Sequence, residues 1–442
     1  MSRRQLWYEL RTNLWFSSVI YALFALLIVY SAYWLDFNTN ISAVMPETLL
    51  INYEFFYTVI STLLASVITL NAFTFNSTLV ILTTFSGQFS PRLLLNFIND
   101  HRTQHVLGIF NATFVVMITA FFIVNEAVQE TYVMLPLLTF SMMFLAMANF
   151  VYFINHAVKW MQVPTLAFNM KMESRDKIMK MLGEDLEPYR IREPDKNVEE
   201  LSSKDANTIY ADKTGFLQII DFKKLIKRAS KDDVILRLEV RVGDFVVKGT
   251  PILLYWIKEG ERINESSYRN FLYFGHKKTE IQDLEFGLNK LKEIAIKSIG
   301  NNDPDTAKNV VYQLTDLLLD IATITKFTPY LANEDNELRL IIPDESFDYY
   351  LNTAFAHIVY YAKDDPIIMN DIVEGLALLA KSLETSDMKC CWKFTEAMIR
   401  AHTPKHSFTY ENKRLHSRLR EIAVMTDEVE AYNELIDDIK IG

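Results

Sequence analysis

The chain has 442 residues, half of them hydrophobic and 23% charged, with a net charge of −10. Its mean hydropathy lies near zero, which argues against both an ordinary soluble enzyme and a many-spanning transporter and leaves a composite of apolar and charged blocks. The acidic balance, with no lysine and arginine cluster interleaved by aromatics outside the juxtamembrane region, argues against nucleic acid as a partner.

Apolar weight lies in residues 14–158, whereas Lys, Asp and Glu crowd residues 171–442. Four segments, about 14–35, 55–86, 106–124 and 132–154, approach or exceed the ~20 residues that span a bilayer. The first is too long for a cleavable signal peptide, and no small-residue cleavage site follows it. Arg3, Arg4 and Arg11 precede the first segment, Arg92 and Arg102 lie between the second and third, and Lys159 and Lys171 follow the fourth. The loops at 36–54 and 125–131 hold no Lys or Arg. The positive-inside rule then places both termini in the cytoplasm, with the lipid bilayer as the partner of the first block.

The second segment carries unusual polarity for its depth. On a 3.6-residue period Thr58, Thr62, Ser66, Thr69, Asn76, Thr83 and Gly87 share one face, interrupted by Ala65, Phe73 and Val80, while Asn71, Thr74 and Thr78 form a shorter line opposite. Two readings stay open. In one, the hydroxyls bond the carbonyl a turn back and small residues let helices pack closely. In the other, one face lines water, because an unpaired amide in hydrocarbon costs several kcal/mol. The second reading makes Thr62, Ser66, Thr69, Asn76 and Thr83 pore-lining, with Asp36, Glu47, Glu54, Glu126 and Glu130 enriching inorganic cations at the mouth. Gly87 and the Ser90-Pro91 step mark the end or a kink of this helix. RLLLNFINDHRTQH (92–105) then reads as a short amphipathic interfacial segment, whose His101 and His105 suit headgroup contact better than a metal.

Residues 171–212 read as an exposed connector. TGFLQIID (214–221), VILRLEV (234–240) and PILLYWI (251–257) read as strands. Between the last two, GDFVVKGTPIL (243–253) looks like the turn of a biotinyl/lipoyl-type sandwiched hammerhead. No Met-Lys pair occurs between 214 and 275, so the unit is structural and carries no prosthetic group. From about residue 279 the pattern is helical, and NNDPDTA (301–307) is helix punctuation: Asn302 or Asp303 caps, Pro304 takes the first helical position, Thr306 follows, and Asp305 complements the dipole. The expected fold class is an α-helical integral membrane domain of four transmembrane helices, then a mixed cytoplasmic region with a small β-rich hammerhead-like unit followed by an α-helical domain. The corresponding boundaries are 1–170, 171–212, 213–275 and 276–442. Adjacent Cys390 and Cys391 imply a reduced compartment.

The strings GQFSPRLLLNF (87–97), VLGIF (106–110), TGFLQIID, GDFVVKGTPIL, and DLEFGLNKLKEIAIKS followed by NNDPDTA (283–307) resemble, in that order, the bacterial predicted-membrane-protein family known as domain of unknown function 2254. The resemblance covers nearly the whole chain and thins after about residue 330. It departs at Ser298-Ile299-Gly300-Asn301, where the family usually shows Ser-Pro before the Asn-Asp-Pro. It implies four transmembrane helices and a cytoplasmic C-terminal region, hence a multi-pass place in the bacterial cytoplasmic membrane, and it brings no activity.

GxGxxG, P-loop, HExxH, GxSxG and Cys/His clusters are absent from the sequence, so neither an enzyme nor a cofactor or metal site is expected. The apolar segments contain no mid-depth Asp, Glu, Lys or Arg, against proton-coupled transport. What remains is a homo-oligomeric ion channel, cation-conducting, lined by the second segment and regulated by the cytoplasmic region. The alternative is a membrane-anchored sensor or scaffold whose cytoplasmic domain binds a partner or ligand. A scaffold has no need of a polar stripe, and four helices are too few to enclose a pore without symmetric assembly.

Overall fold

The computed structural model describes residues 14–39, 45–46, 49–88, 97, 100–124, 130–194, 198, 206–257, 263–279, 282–363, 365–401 and 409–441. Two compact units divide the chain, Met1–Val163 and Pro164–Gly442.

The first unit holds α1 (Leu14–Asn38), α2 (Tyr53–Gln88), α3 (His101–Ile123) and α4 (Met134–Met161). Among the described residues these four are long and apolar enough to cross a bilayer. Helix α3 is central: its Val116, Met117 and Ala120 meet Ala25 and Val29 of α1, Phe56, Ile60 and Val67 of α2, and Leu135 of α4. The outer sides expose Leu23, Phe24, Leu27, Phe122 and Phe144, the all-round apolarity that hydrocarbon demands.

The structure revises the reading of HRTQH as a separate interfacial segment, because His101 to His105 form the first turns of α3 itself. Its start is set by Asp100, whose carboxylate accepts the Thr103 N–H at 3.3 Å and pairs with His156 of α4 at 2.9 Å. A polar first turn lowers the hydropathy, but a capping Asp begins the helix there. Most of 92–99 lies outside the described residues.

At the opposite end, β1 (Ile51–Asn52) and β2 (Thr131–Tyr132) pair antiparallel, Ile51 against Tyr132, and the Tyr53 N–H donates to the Glu130 carbonyl at 2.9 Å. Beside this ladder the buried Asp36 carboxylate, at the end of α1, accepts the backbone N–H groups of Val133 at 3.1 Å, Met134 at 2.8 Å and Leu135 at 2.9 Å. These are orphan donors of the first turn of α4, met by a negative charge at the positive end of its dipole. The described ends of the two loops lacking Lys and Arg therefore meet at one end of the bundle.

The second unit runs α5 (Val163–Met181), a π turn Leu182–Leu186, a 3-10 turn Glu187–Tyr189, β3 (Asn207–Tyr210), β4 (Gly215–Ile220), α6 (Phe222–Lys231), β5 (Ile235–Leu238), β6 (Phe245–Val246), β7 (Pro251–Trp256), α7 (Glu265–Arg269) and β8 (Leu272–Gly275). It continues with α8 (Leu284–Gly300), α9 (Pro304–Ile324), β9 (Tyr330–Ala332), β10 (Leu338–Ile341), α10 (Phe347–Ala362), α11 (Pro366–Ser382), α12 (Thr385–Ala401), α13 (Thr409–Thr426) and α14 (Val429–Ile441).

A five-stranded sheet has the order β3-β7-β5-β10-β9 and a three-stranded sheet the order β6-β4-β8. The expected boundary at 275/276 is thereby replaced. β10 pairs parallel with β5, Leu340 against Leu236, so residues 330–341 complete a sheet begun before the helices α8 and α9. A mixed sheet of this kind is no self-contained hammerhead, although the GDFVVKG turn does rest on glycines with left-handed backbone, Gly243 at φ 96° and Gly249 at φ 89°. The exposed connector expected at 171–212 is also revised. Leu166, Met170, Ser174 and Ile178 recur every fourth residue on α5 and are buried, while Lys171 and Arg175 pair with Asp316 and Asp320 of α9. Charge on the solvent side had hidden this apolar stripe.

In NNDPDTA, Asn302 takes φ 55°, Asp303 caps α9 by accepting the Thr306 N–H at 3.1 Å, Pro304 opens the helix and Thr306 is buried. A cap of this type contributes about 0.5–2 kcal/mol. Farther on, buried Asp371 of α11 holds Lys308 of α9 at 3.0 Å and Arg414 of α13 at 3.7 Å, tying three helices through one carboxylate.

Replacing Asp36 should expose how far the membrane unit relies on one side chain. Asp36→Ala leaves buried donors without an acceptor and should lower stability by about 1–3 kcal/mol or more, read as a lower melting temperature in detergent. An unchanged melt would contradict the cap's importance.

Candidate functional site

Helix α2 has 36 residues, about 54 Å at 1.5 Å per residue against a hydrocarbon core of ~30 Å. Its buried face carries Phe56, Ile60, Val67, Thr74, Thr78 and Ile81 and packs on α3 and α4. Roughly half a turn away, Thr58, Thr62, Ser66, Thr69, Asn76 and Thr83 are exposed together with Phe73 and Val80. The two polar lines seen in the sequence thus have opposite fates. The shorter one faces protein; the longer one faces away from this chain's own bundle.

Every hydroxyl on the outward line donates to a carbonyl of its own helix. Thr58 reaches Glu54 at 2.9 Å, Thr62 reaches Thr58 at 3.0 Å, Ser66 reaches Thr62 at 2.9 Å, Thr69 reaches Ala65 at 3.0 Å, and Thr83 reaches Val80 at 2.9 Å. Local back-bonding uses the donor of a hydroxyl and leaves its remaining lone pair outward. The stripe is therefore a row of acceptors with almost no donors. Asn76 is the exception, exposed and without a hydrogen-bond partner among the described residues. Inside the bundle, Thr74 and Thr78 bond the carbonyls of Leu70 and Thr74 at 2.9 Å and 2.8 Å, and Asn71 Oδ1 is buried without a partner.

At the end of α2 near β1 and β2, Glu54 and Glu130 are exposed. Asp36, expected among the charges at the mouth, is instead buried and committed to the three N–H groups of α4. Glu47, Glu126 and the Ser90-Pro91 step lie outside the described residues.

A second cluster escaped the sequence reading because its members come from distant segments. Arg241 lies over the Tyr349 ring at 4.6 Å, donates to the Asp344 carbonyl at 2.8 Å and stands 3.7 Å from Glu345. The Tyr349 hydroxyl donates to Glu285 and the Tyr350 hydroxyl to Glu345. A cavity of about 50 Å³ opens beside Arg241, Asp283, Glu345 and Tyr350, room for water but far below the ~300 Å³ of an ordinary ligand site. Asp283 caps α8 by accepting the Phe286 N–H at 3.1 Å, and a side chain at Gly243 would sit 2.7 Å from its carboxylate. Next to it, Gln282 acts as a strand partner for β4: it accepts the Ile220 N–H at 2.8 Å and donates to the Ile220 carbonyl at 3.1 Å. The strings TGFLQIID, GDFVVKG and DLEFGLN thus meet in space, which is the one sequence signal that could have pointed here.

Burial, then the charge of Glu285, pushes Asp283 up to about 7, and burial pushes the Glu345 carboxyl up as well. Both cysteines are free, and burial pushes the Cys391 thiol up to about 12, a structural rather than a reactive setting. Among the described residues, three or more His, Cys, Asp or Glu side chains nowhere converge as a metal site.

A family model described as Predicted membrane protein (DUF2254) matches residues 11–377. Uncharacterized proteins of Mycobacterium tuberculosis strain H37Rv and Mycobacterium bovis strain AF2122/97 are each 25% identical over 331 residues, covering 72% of this chain and 62% of the relative. The chain thus spans less than two thirds of the length of these relatives. No solved structure matches the chain.

The Asp283 position has a defined pH signature. Its native carboxyl holds a proton until about 7, whereas the unfolded one loses it near ~3.9. Stability should then fall as pH rises through that window and be greatest below it. Asp283→Asn keeps a cap and removes the titration, so its melting temperature should vary less between pH 5 and pH 8 than that of the parent. An equal slope in both proteins would show that Asp283 is not the source.

Proposed function

This chain belongs to the DUF2254 family of predicted membrane proteins, and on that premise we propose that it is an oligomeric ion channel, cation-conducting, whose pore is lined by α2 and regulated by the cytoplasmic unit. The observation that carries the reading is the outward face of α2: Thr62, Ser66, Thr69, Asn76 and Thr83 in one line, on the side of the helix opposite its packed face. Packing among the described residues does not account for this line, because its five polar side chains are exposed and only Phe73 beside them meets a ring of another helix, Phe150 of α4 at 5.8 Å. Copies of α2 around a symmetry axis would turn it inward. Hydroxyls whose protons are already committed to backbone offer lone pairs, which replace part of a cation's hydration shell and have little to give an anion. Phe73 and Val80, exposed on the same face, would form apolar rings between the polar ones, constrictions of the kind that gate by dewetting.

Orientation in the membrane follows the charges. The loops at 36–54 and 125–131 hold no Lys or Arg and their described ends lie at the β1 and β2 ladder, which supports an orientation with that end outside and both termini in the cytoplasm of a bacterial inner membrane. Exposed Glu54 and Glu130 would then stand at the outer mouth.

Asn76→Leu and Thr69→Val should suppress cation flux into liposomes while cross-linking reports an unchanged assembly. Purified protein that forms no symmetric ring and passes no cation under voltage, membrane tension or a pH step would leave the other reading, a membrane-anchored sensor or scaffold. For the orientation, a cysteine at Glu130, with Cys390 and Cys391 replaced by Ala, should react with an impermeant thiol reagent added outside intact cells. Labelling only after the cytoplasmic side is opened would reverse the assignment.

A further inference from the structure

A cleft of about 690 Å³ runs along α1, α3 and α4, within the ~300–1,000 Å³ of ordinary ligand sites, on elements that do not include the α2 stripe. Its walls are apolar for most of their length, with Phe24, Ile28, Ala112, Val116, Met142 and Leu145 among them. Polar groups gather only at the end that holds the start of α3, where Ser17 and Tyr21 face His101, Gln104 and His105.

That end is built, and its construction explains a glycine in the VLGIF string. Gly108 has no side chain, and a Cβ there would fall 2.5 Å from the Tyr21 ring, so its absence lets Tyr21 lie flat on α3. The Tyr21 hydroxyl then bonds His105 Nδ1, and His105 Nε2 lies 3.3 Å from His101 Nε2. Such a chain has two polarities. When Tyr21 donates to His105, His105 donates to His101, and His101 keeps an Nδ1–H with no acceptor among the described residues. An anionic acceptor at His101 selects this polarity. Arg102, exposed in the same turn, adds a full positive charge, while the neighbouring Asp100 carboxylate is already engaged by His156 and the Thr103 N–H.

We propose that this cleft binds one anionic phospholipid, an acyl chain lying between α1, α3 and α4 and the phosphate received at His101 with Arg102 beside it. The occupant follows from the surroundings: a groove that opens from a bilayer-crossing bundle meets acyl chains, which fill an apolar wall that water would leave dry. Apolar length closed by one cluster of donors is the order of parts in a phospholipid, and basic groups at the membrane surface favour lipids with net negative charge. The inference stands whether or not α2 lines a pore.

The full chain, reconstituted in nanodiscs of equal phosphatidylglycerol and phosphatidylcholine and released for native mass spectrometry, should carry phosphatidylglycerol well above its share of the bilayer. The exposed-site double variant His101→Gln with His105→Gln should bring the bound lipid back to the composition of the bilayer. Ala112→Phe, which fills the cleft without emptying any core, should remove the bound lipid. Glycerol phosphate in excess should displace nothing, since it has no chain to fill the groove. Bound lipid that mirrors the bilayer in the parent protein, survives Ala112→Phe, or leaves on adding glycerol phosphate would each overturn the proposal.

Discussion

Inside a bilayer no water stands ready to satisfy a stray polar group, so each N–H and carbonyl must find its partner within the protein. That constraint organises the membrane unit. At one end of the bundle a single carboxylate, Asp36, receives three consecutive backbone donors from the start of α4 and so joins the first and last helices of the bundle. The β1 and β2 ladder next to it satisfies the chain where two helices begin. At the other end Asp100 plays the corresponding part for α3 and reaches α4 through His156. Polar atoms along α2 obey the same rule with different results. Those on the packed side are buried in protein, and those on the free side are half satisfied by their own helix and half left open.

The spans were legible in the sequence because hydropathy over about 20 residues reports directly on transfer into lipid. The polar stripe was legible too, since a 3.6-residue period assigns faces without any knowledge of neighbours. What the period could not say is which of the two polar lines is packed, and burial of Thr74 and Thr78 answers that. Helix punctuation at Asp303 is readable from residue types alone, whereas the polarity of HRTQH resembles that of an interfacial segment and conceals that Asp100 caps a spanning helix. The Asp283 cluster is marked in the sequence only by the separate strings TGFLQIID, GDFVVKG and DLEFGLN. Arg241, Asp283 and Glu345 acquire their meaning from packing between segments up to about a hundred residues apart, which sequence spacing does not reveal.

The second unit works under a different rule, with water available at its surface but not at the joint between its sheets and helices. There, side chains stand in for backbone. Gln282 bonds both polar groups of Ile220 as a neighbouring strand would, and Asp283 caps a helix from a place so confined that Gly243 must lack a side chain. An acid held near neutrality by such confinement makes this joint sensitive to pH near 7 in a way that the surface ion pairs of the same unit are not.

The parallel pairing of β5 with β10 also sets an order of events during synthesis. A strand that waits for a partner about a hundred residues downstream presents an open edge for as long as the ribosome takes to deliver it, and open edges recruit other chains. By then all four apolar helices have left the ribosome, and β3, β4, β6, β7 and β8 already have every strand they pair with, so the edge left open is that of β5. Two helices, α8 and α9, must fold or stand aside before the sheet closes. The nascent protein is thus anchored before it is finished, and anchoring itself keeps unfinished edges of neighbouring chains apart at a stage when free diffusion would let them meet.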